Sequence, residues 1–155
     1  MGSGRLNLLL DTHIWLWSLV EPEQLTSTIF HALTDEANQL WLSPISVWEF
    51  LLLAERPACA AAWLAGCRRP QTPGRVRIQH GVAPPDWVEA ALLRVPMHEA
   101  PLTREVAVRS RAVRVAHEDP ADRFLAATAA VYDLTLVTAD ERLLSGKGFR
   151  TLANR

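Results

Sequence analysis

The sequence predicts an α/β fold built on a central parallel sheet. Three short apolar runs, LNLLLD at residues 6–11, LWLSP at 40–44 and LTLVTAD at 134–140, have the length and two-sided hydrophobicity of buried parallel strands. Stretches with helical spacing separate them, as crossover connections between parallel strands require. Two of the three runs end on an acid, and in open α/β sheets ligands bind beyond the carboxyl ends of the strands.

In chain order, DTHIWLWSLVEP follows the first strand with helical spacing and stops at a proline. TSTIFHALTDEANQ, residues 26–39, has an N-cap residue and apolar positions at Ile29, Phe30 and Leu33, and reads as a helix. After the second strand, ISVWEFLLLAERP, residues 45–57, reads as a helix closed by its proline, and ACAAAWLAGC continues in helical composition. The prolines and glycines of residues 68–85 mark a loop. PPDWVEAALLRV reads as a helix opened by Asp86, and TREVAVRSRAV, residues 103–113, as another. DPADRFLAATAAVYD, residues 119–133, is the plainest helix, with Asp119 at the N-cap and Pro120 at the first helical position. FRTLA near the end reads as a last edge strand.

The 155 residues fit a single domain over 1–155, with residues 1–4 (MGSG) read as a tag remnant or frayed start. At 49% hydrophobic and 21% charged, the chain can bury a sizeable core. No run is long enough to span a membrane and no signal peptide opens the chain, so a cytoplasmic protein without membrane contact is expected. Cys59 and Cys67 match neither a disulfide framework nor a zinc pattern and read as buried reduced thiols.

Net charge is −1, but it is unevenly spread. Residues 1–56 hold seven acids against two bases, residues 57–116 four acids against nine bases, all arginine, and residues 117–155 six acids against five bases. Arginine matches phosphate with a planar fork of donors, so this pattern suits a protein that gathers carboxylates in one place and binds phosphates beside it. A solvated arginine-rich face is the plainer alternative.

Asp11 and Asp140 stand where strand ends point into a crevice, although each is also placed to cap the next helix. Glu49 lies among Trp48, Phe50, Leu51, Leu52 and Leu53, so a clean solvent face is hard to draw around it. Asp122 falls at the third helical position, on the same helix face as Asp119. Gathered together, these carboxylates would repel unless a hard divalent cation sat among them, and magnesium, with oxygen ligands and retained waters, fits that demand.

LLLDTHIWLW, SPISVWEF, HEDPADRFLAATAA and LTLVTADERLL, in that order, resemble the PIN-domain ribonucleases and, within them, the VapC-type toxins of type II toxin–antitoxin pairs. The likeness runs from about residue 6 to residue 144. It implies a PIN-like three-layer α/β/α fold and a magnesium- or manganese-dependent endoribonuclease. It also implies a cognate antitoxin as inhibitor and a homodimer. By motif position the metal-holding and catalytic acids are Asp11, Glu49, Asp122 and Asp140. Asp119 matches an extra aspartate of one toxin subgroup, as a cap or an alternate ligand, and Thr138 matches a threonine whose hydroxyl binds a metal water or a phosphate oxygen. Residues 53–94 depart from the family pattern, so substrate and antitoxin contacts do not carry over there.

The expected reaction is metal-assisted hydrolysis of an RNA phosphodiester, with Arg104, Arg109, Arg111, Arg114 and Arg123 as candidates for holding the backbone. Arg123 reads equally as a partner for a neighbouring acid. Trp15, Trp17 and Trp48 read as core rather than as stacking platforms, and His13 and His117 as local hydrogen-bonding residues. The contrasting reading is a catalytically weak binding module whose acidic cleft holds an arginine of a partner, through which it binds protein or RNA. A sugar-phosphate or dinucleotide enzyme is disfavoured, because no glycine-rich loop follows either strand.

Overall fold

A computed structural model describes residues 4–55, 82–116 and 119–155. The readings made for ACAAAWLAGC, Cys59, Cys67, His117 and most of the 68–85 loop lie outside the described residues. The strands are β1 (Asn7–Leu10), β2 (Gln39–Leu42), β3 (His98–Glu99), β4 (Thr135–Thr138) and β5 (Arg150–Ala153). The described α-helices are α1 (Thr12–Val20), α2 (Ser27–Thr34), α3 (Pro44–Glu55), α4 (Pro84–Arg94), α5 (Arg104–Arg109), α6 (Pro120–Val131) and α7 (Glu141–Leu144).

The five strands form one parallel sheet in the order β3-β2-β1-β4-β5. Because β1 lies in the centre, the chain builds outward first through β2 and then, on the other side, through β4. Right-handed crossovers in opposite directions put helices on both faces. The alternation along β1 shows the result. Leu8 and Leu10 pack into one core with Ile14 and Trp15 of α1, Phe50 of α3 and Trp87 of α4. Leu9 faces a second core with Ala121, Leu125 and Ala126 of α6 and Leu143 of α7. All three β1 leucines have no exposed surface, which is why the strand reads as a continuous apolar run. The fold is the expected three-layer α/β/α arrangement.

Several boundaries differ from the sequence reading, each for a local reason. The helix expected over 26–39 ends at Thr34, because the Asp35 carboxylate accepts the Ala37 N–H at 2.9 Å and the Asn38 amide donates to the Ala32 carbonyl at 2.9 Å. Asp and Asn side chains there offer the backbone a turn in place of a helix. The helix expected over 103–113 ends at Arg109, where the Ser110 hydroxyl turns back to the Ala107 carbonyl at 2.7 Å. Asp86 does not open α4; Ala83 is the N-cap, Pro84 takes the first position, and Asp86 sits inside the first turn, where an acid favours the helix dipole. The edge strand β3, the 3-10 turn Pro22–Gln24 and the short α7 went unread. Trp48, expected in the core, is 49% exposed, because α3 turns Phe50 inward and leaves Trp48 and Leu52 on its outer side. Trp15 is fully buried as expected, and Trp17 packs against the same core while partly exposed.

Among the described residues, no helix is long and apolar enough to cross a membrane.

Candidate active site

The order of the strands creates a switch point between β1 and β4, the place beyond the carboxyl ends of the strands where open α/β sheets bind ligands. Asp11 follows β1 directly and its N–H still pairs with the Val137 carbonyl at 3.1 Å, so it is held as a last rung of the sheet. It caps α1, with Oδ1 accepting the Thr12 N–H at 2.7 Å. Its Oδ2 accepts the Thr138 hydroxyl from the end of β4 at 2.6 Å. The residue is 8% exposed, and burial pushes its pKa up despite the Thr138 bond, nearby His13 and the Thr12 N–H.

Helix α3 springs from the end of β2, and Ile45 at its start joins one core while Phe50 further along joins the other. Its first turn is tied to β1 by the Ser46 hydroxyl, which donates to the Leu10 carbonyl at 3.3 Å. The Ser43 hydroxyl oxygen accepts the Ile45 N–H at 3.2 Å. One turn along, Glu49 is turned toward α1 and accepts the Thr12 hydroxyl on Oε2 at 2.5 Å. Burial first, then Asp11, Asp122 and Asp119, raise its pKa from 4.5 to about 7, against the lowering effect of Thr12.

Helix α6 brings Asp119 and Asp122. Asp119 is the N-cap, with Oδ1 accepting the Ala121 N–H at 2.9 Å. Asp122 is half-buried at the third helical position, and its Oδ2 is buried without a hydrogen-bond partner among the described residues. Burial and the charges of Asp119, Asp11 and Asp140 raise its pKa from 3.8 to about 6. A buried carboxylate oxygen with no donor is costly in a protein interior and calls for a cation or water.

Asp140 caps α7 through the Arg142 N–H at 2.8 Å, and its own N–H donates to Thr138 Oγ at 3.0 Å. The guanidinium of Arg142 forks onto both Asp140 oxygens, Nε to Oδ1 at 3.0 Å and NH2 to Oδ2 at 2.7 Å. Asp140 in turn pushes the Arg142 pKa up.

The structure therefore gathers Asp11, Glu49, Asp122, Asp119 and Asp140 at one end of the sheet, each feeling the charge of another or adding to it. As they stand, no three His, Cys, Asp or Glu side chains among the described residues converge closely enough to chelate an ion directly. Hydroxyls and the Arg142 guanidinium bond several of these carboxylate oxygens. Thr12 and Arg142 belong to this network and were missed in the sequence. Thr12 carried the weak signal of a hydroxyl directly after the first acid; Arg142 lay two residues past the last one. The arginines of the basic block, Arg104, Arg109, Arg111 and Arg114, are exposed. Arg123 is half-buried and donates to the Val113 carbonyl at 3.5 Å. His13 is exposed on α1, its ring 5.8 Å from that of Trp17.

The PIN domain family model matches residues 8–147, a span that takes in four of the five strands and leaves out β5. The chain belongs to the PIN domain family. A curated relative of this PIN protein is Ribonuclease VapC22 of Mycobacterium tuberculosis (strain ATCC 25618 / H37Rv), 30% identical over 139 residues, covering 89% of this chain and 90% of that one. The resemblance to VapC-type toxins carried by the four motifs is thus borne out. Among solved structures, the PIN fold here is similar to VapBC2 from Rickettsia felis bound to a DNA fragment from their promoter. That match has a TM-score of 0.61 at 10% identity and covers 96% of this chain and 98% of that one. DNA-bound VapBC from Salmonella typhimurium matches with a TM-score of 0.58 at 15% identity, over 97% and 99% of the two chains. At such identities these two likenesses speak for the fold.

Proposed function

We propose that this PIN protein is a metal-dependent endoribonuclease toxin of the VapC type, restrained by a cognate antitoxin and assembled as a homodimer. One observation carries the catalytic part. Four acids from four separate segments lie at one end of the sheet, and the pKa values of Asp11, Glu49 and Asp122 are raised there, first by burial and then by neighbouring acids. Carboxylates pushed up in a crevice are the mark of a site made for a cation or a proton transfer. The donor set is all oxygen, and Asp122 Oδ2 lacks a hydrogen-bond partner among the described residues, which fits a hard ion such as magnesium or manganese that keeps several of its waters. Asp11, Glu49, Asp122 and Asp140 would hold it. When bound, the ion supplies a water of lowered pKa and polarises the phosphoryl oxygen.

The chain's own part is to bind and orient. Thr138 holds Asp11 and the Asp140 backbone in register, so the two strand ends act as one unit. The exposed Arg104, Arg109, Arg111 and Arg114 bind the RNA backbone as phosphate contacts, which position without reading sequence. Arg123, engaged with the Val113 carbonyl, supports the α6 end instead. The antitoxin part of the reading is supported by the VapC relative and by structural neighbours that are VapBC complexes, and the homodimer is what the resemblance to VapC-type toxins implies. A cytoplasmic location goes with that biology.

A binding-module reading has one observation in its favour. The Arg142 guanidinium forks onto Asp140, the contact that a partner's arginine would make with an acid of this cluster. Purified protein incubated with single-stranded RNA in magnesium decides between the two. Cleavage lost in Asp11→Asn supports the nuclease; tight RNA or peptide binding without turnover supports the module.

A further inference from the structure

Lys147 is the chain's only lysine and lies in SGKGF, residues 145–149, between α7 and β5. Its backbone forms an isolated antiparallel bridge with Arg114, which follows α5. The Arg114 N–H donates to the Lys147 carbonyl at 3.2 Å, and the Lys147 N–H to the Arg114 carbonyl at 2.8 Å. Residues that exchange both bonds stand about 5.5 Å apart, with their side chains on the same face of the pair. Both residues are exposed, and among the described residues no acid pairs with either. Like charges directly opposite each other destabilise a strand pair, and an isolated bridge has no further rungs to offset the repulsion. The loop that presents Lys147 is also demanding. A Cβ on Gly146 would lie 2.6 and 2.8 Å from ring atoms of Phe149, which packs against the second core. Gly148 has a φ of 96°, a region that glycine enters without strain. Two glycine positions and a repulsive pair thus hold the lysine opposite the arginine.

We propose that Arg114 and Lys147 together bind one phosphate of the RNA strand beside the acidic site. The proposal rests on the RNA-cleaving reading given above and adds to it the lysine and the sharing of a phosphate. An anion between two opposed cations turns their repulsion into attraction. The guanidinium offers phosphate oxygens a planar fork, and the ammonium three rotatable donors. The bridge is tied to both segments that carry the later acids. Val113, next to Arg114, is buried in the core that holds Ala121 of α6, and its carbonyl accepts the Arg123 guanidinium at 3.5 Å. On the other side, only α7 and a short turn separate Lys147 from Asp140. Four helical steps and three extended ones put the two backbones at most about 17 Å apart, which a nucleic-acid strand covers in about five nucleotides. Arg109 and Arg111, both exposed, come just before Arg114 in the chain, which suits a polymer of phosphates better than a single small anion.

Because there is one lysine, reductive methylation with carbon-13, which keeps the charge, labels Lys147 and the N-terminal amine alone. The labelled full chain is titrated with single-stranded RNA in the presence of a chelator, so that the strand stays whole, and separately with poly-glutamate. The Lys147 methyl resonance is expected to move with RNA, to return at high salt, and to stay in place with poly-glutamate. Filter binding then compares the wild type with Arg114→Gln, Lys147→Gln and the double variant, all changes at exposed positions that leave the fold intact. Each single variant is expected to bind RNA about threefold or more weakly, with a shallower salt dependence. The double variant is expected to lose less than the product of the two single losses, since a shared phosphate is lost once. Without RNA at low salt, Lys147→Gln is expected to melt no lower than the wild type, because the opposed charge is gone. Single variants with wild-type affinity, losses that multiply, or a Lys147 resonance that RNA leaves in place overturn the proposal. A resonance that poly-glutamate moves as readily overturns it too and assigns the pair to an acidic protein segment. The expected RNA responses in a chain that leaves RNA uncut in magnesium keep the phosphate site and remove the nuclease reading. A wild type with no affinity for RNA removes both.

Discussion

The hydroxyl of Thr138 donates to Asp11 Oδ2 at 2.6 Å across 127 positions of sequence, and the Thr138 hydroxyl oxygen accepts the Asp140 N–H at 3.0 Å. One side chain thereby couples the ends of β1 and β4 and the acids that follow them. Thr138→Val leaves a buried carboxylate oxygen and a backbone N–H without their partner. Stability is expected to fall by roughly 1–3 kcal/mol, read from urea denaturation, and RNA cleavage to fall with it. Thr138→Ser recovers most of both. A valine variant as stable and as active as the wild type means the bond is incidental.

Glu49 and Asp122 have pKa values raised to about 7 and about 6, chiefly by burial and then by neighbouring acids. A raised acid binds more protons folded than unfolded, so its contribution to stability is present at low pH and lost as pH rises through the folded value. For the metal-free chain, stability is expected to decline from about pH 4.5 to about pH 7 through Glu49, and from about pH 3.8 to about pH 6 through Asp122. If magnesium binds the ionised cluster of the folded chain, as proposed, the rise in melting temperature that it causes should grow over the same range. Melts from about pH 5 to about pH 8, with and without millimolar magnesium, check both slopes. A metal-free melting temperature that climbs through this window contradicts the repulsion among these acids.

The legible parts of the molecule are those where one physical demand acts alone. β1, β2 and β4 were readable because strands covered on one or both faces need apolar runs, and α6 because Asp119 and Pro120 announce its start. β3 was not, since His98 and Glu99 are two exposed edge residues with no pattern to show. The ends of α2 and α5 were hidden in the side-chain bonds of Asp35 and Ser110, which compete with the helix only once the local geometry exists. In the site, Asp11, Asp140, Asp119 and Asp122 stood out by position, after strands and at a helix start, and Glu49 by its apolar neighbours. Thr12 did not, because its partner Glu49 lies 37 residues away and only the packing of α3 against α1 brings them together.

Arg109 ends α5 and Arg111 follows in the turn, both exposed. If they bind RNA phosphates, the double variant Arg109→Gln, Arg111→Gln binds single-stranded RNA more weakly. Its affinity also depends less on salt, the logarithmic slope shrinking by about 0.7 for each phosphate no longer neutralised. Filter binding between low and physiological salt measures this. Equal affinity and equal slope assign these arginines to surface solvation alone.

Asp119 and Asp122 sit one turn apart on α6 and are expected to fail in different ways when altered. Asp119 is a cap whose Oδ1 holds the Ala121 N–H at 2.9 Å. Asparagine caps about as well as aspartate, so Asp119→Asn should keep both fold and most activity, while Asp119→Ala should cost roughly 1 kcal/mol by removing the cap. Asp122 has a buried Oδ2 with no hydrogen-bond partner among the described residues and a pKa raised to about 6. Asp122→Asn keeps the shape, removes a charge that repels Asp119, Asp11 and Asp140, and leaves any cation with one carboxylate fewer. Metal-free stability should hold or rise at about pH 8, magnesium affinity should drop, and RNA cleavage should fall by orders of magnitude. Urea denaturation without metal, magnesium titration and cleavage assays on the three variants separate the two roles. An active Asp122→Asn beside an inactive, folded Asp119→Asn would move the ligand role to Asp119. Two inactive amides with intact folds would mean that both carboxylates face the ion, Asp119 serving the helix with one oxygen and the cation with the other.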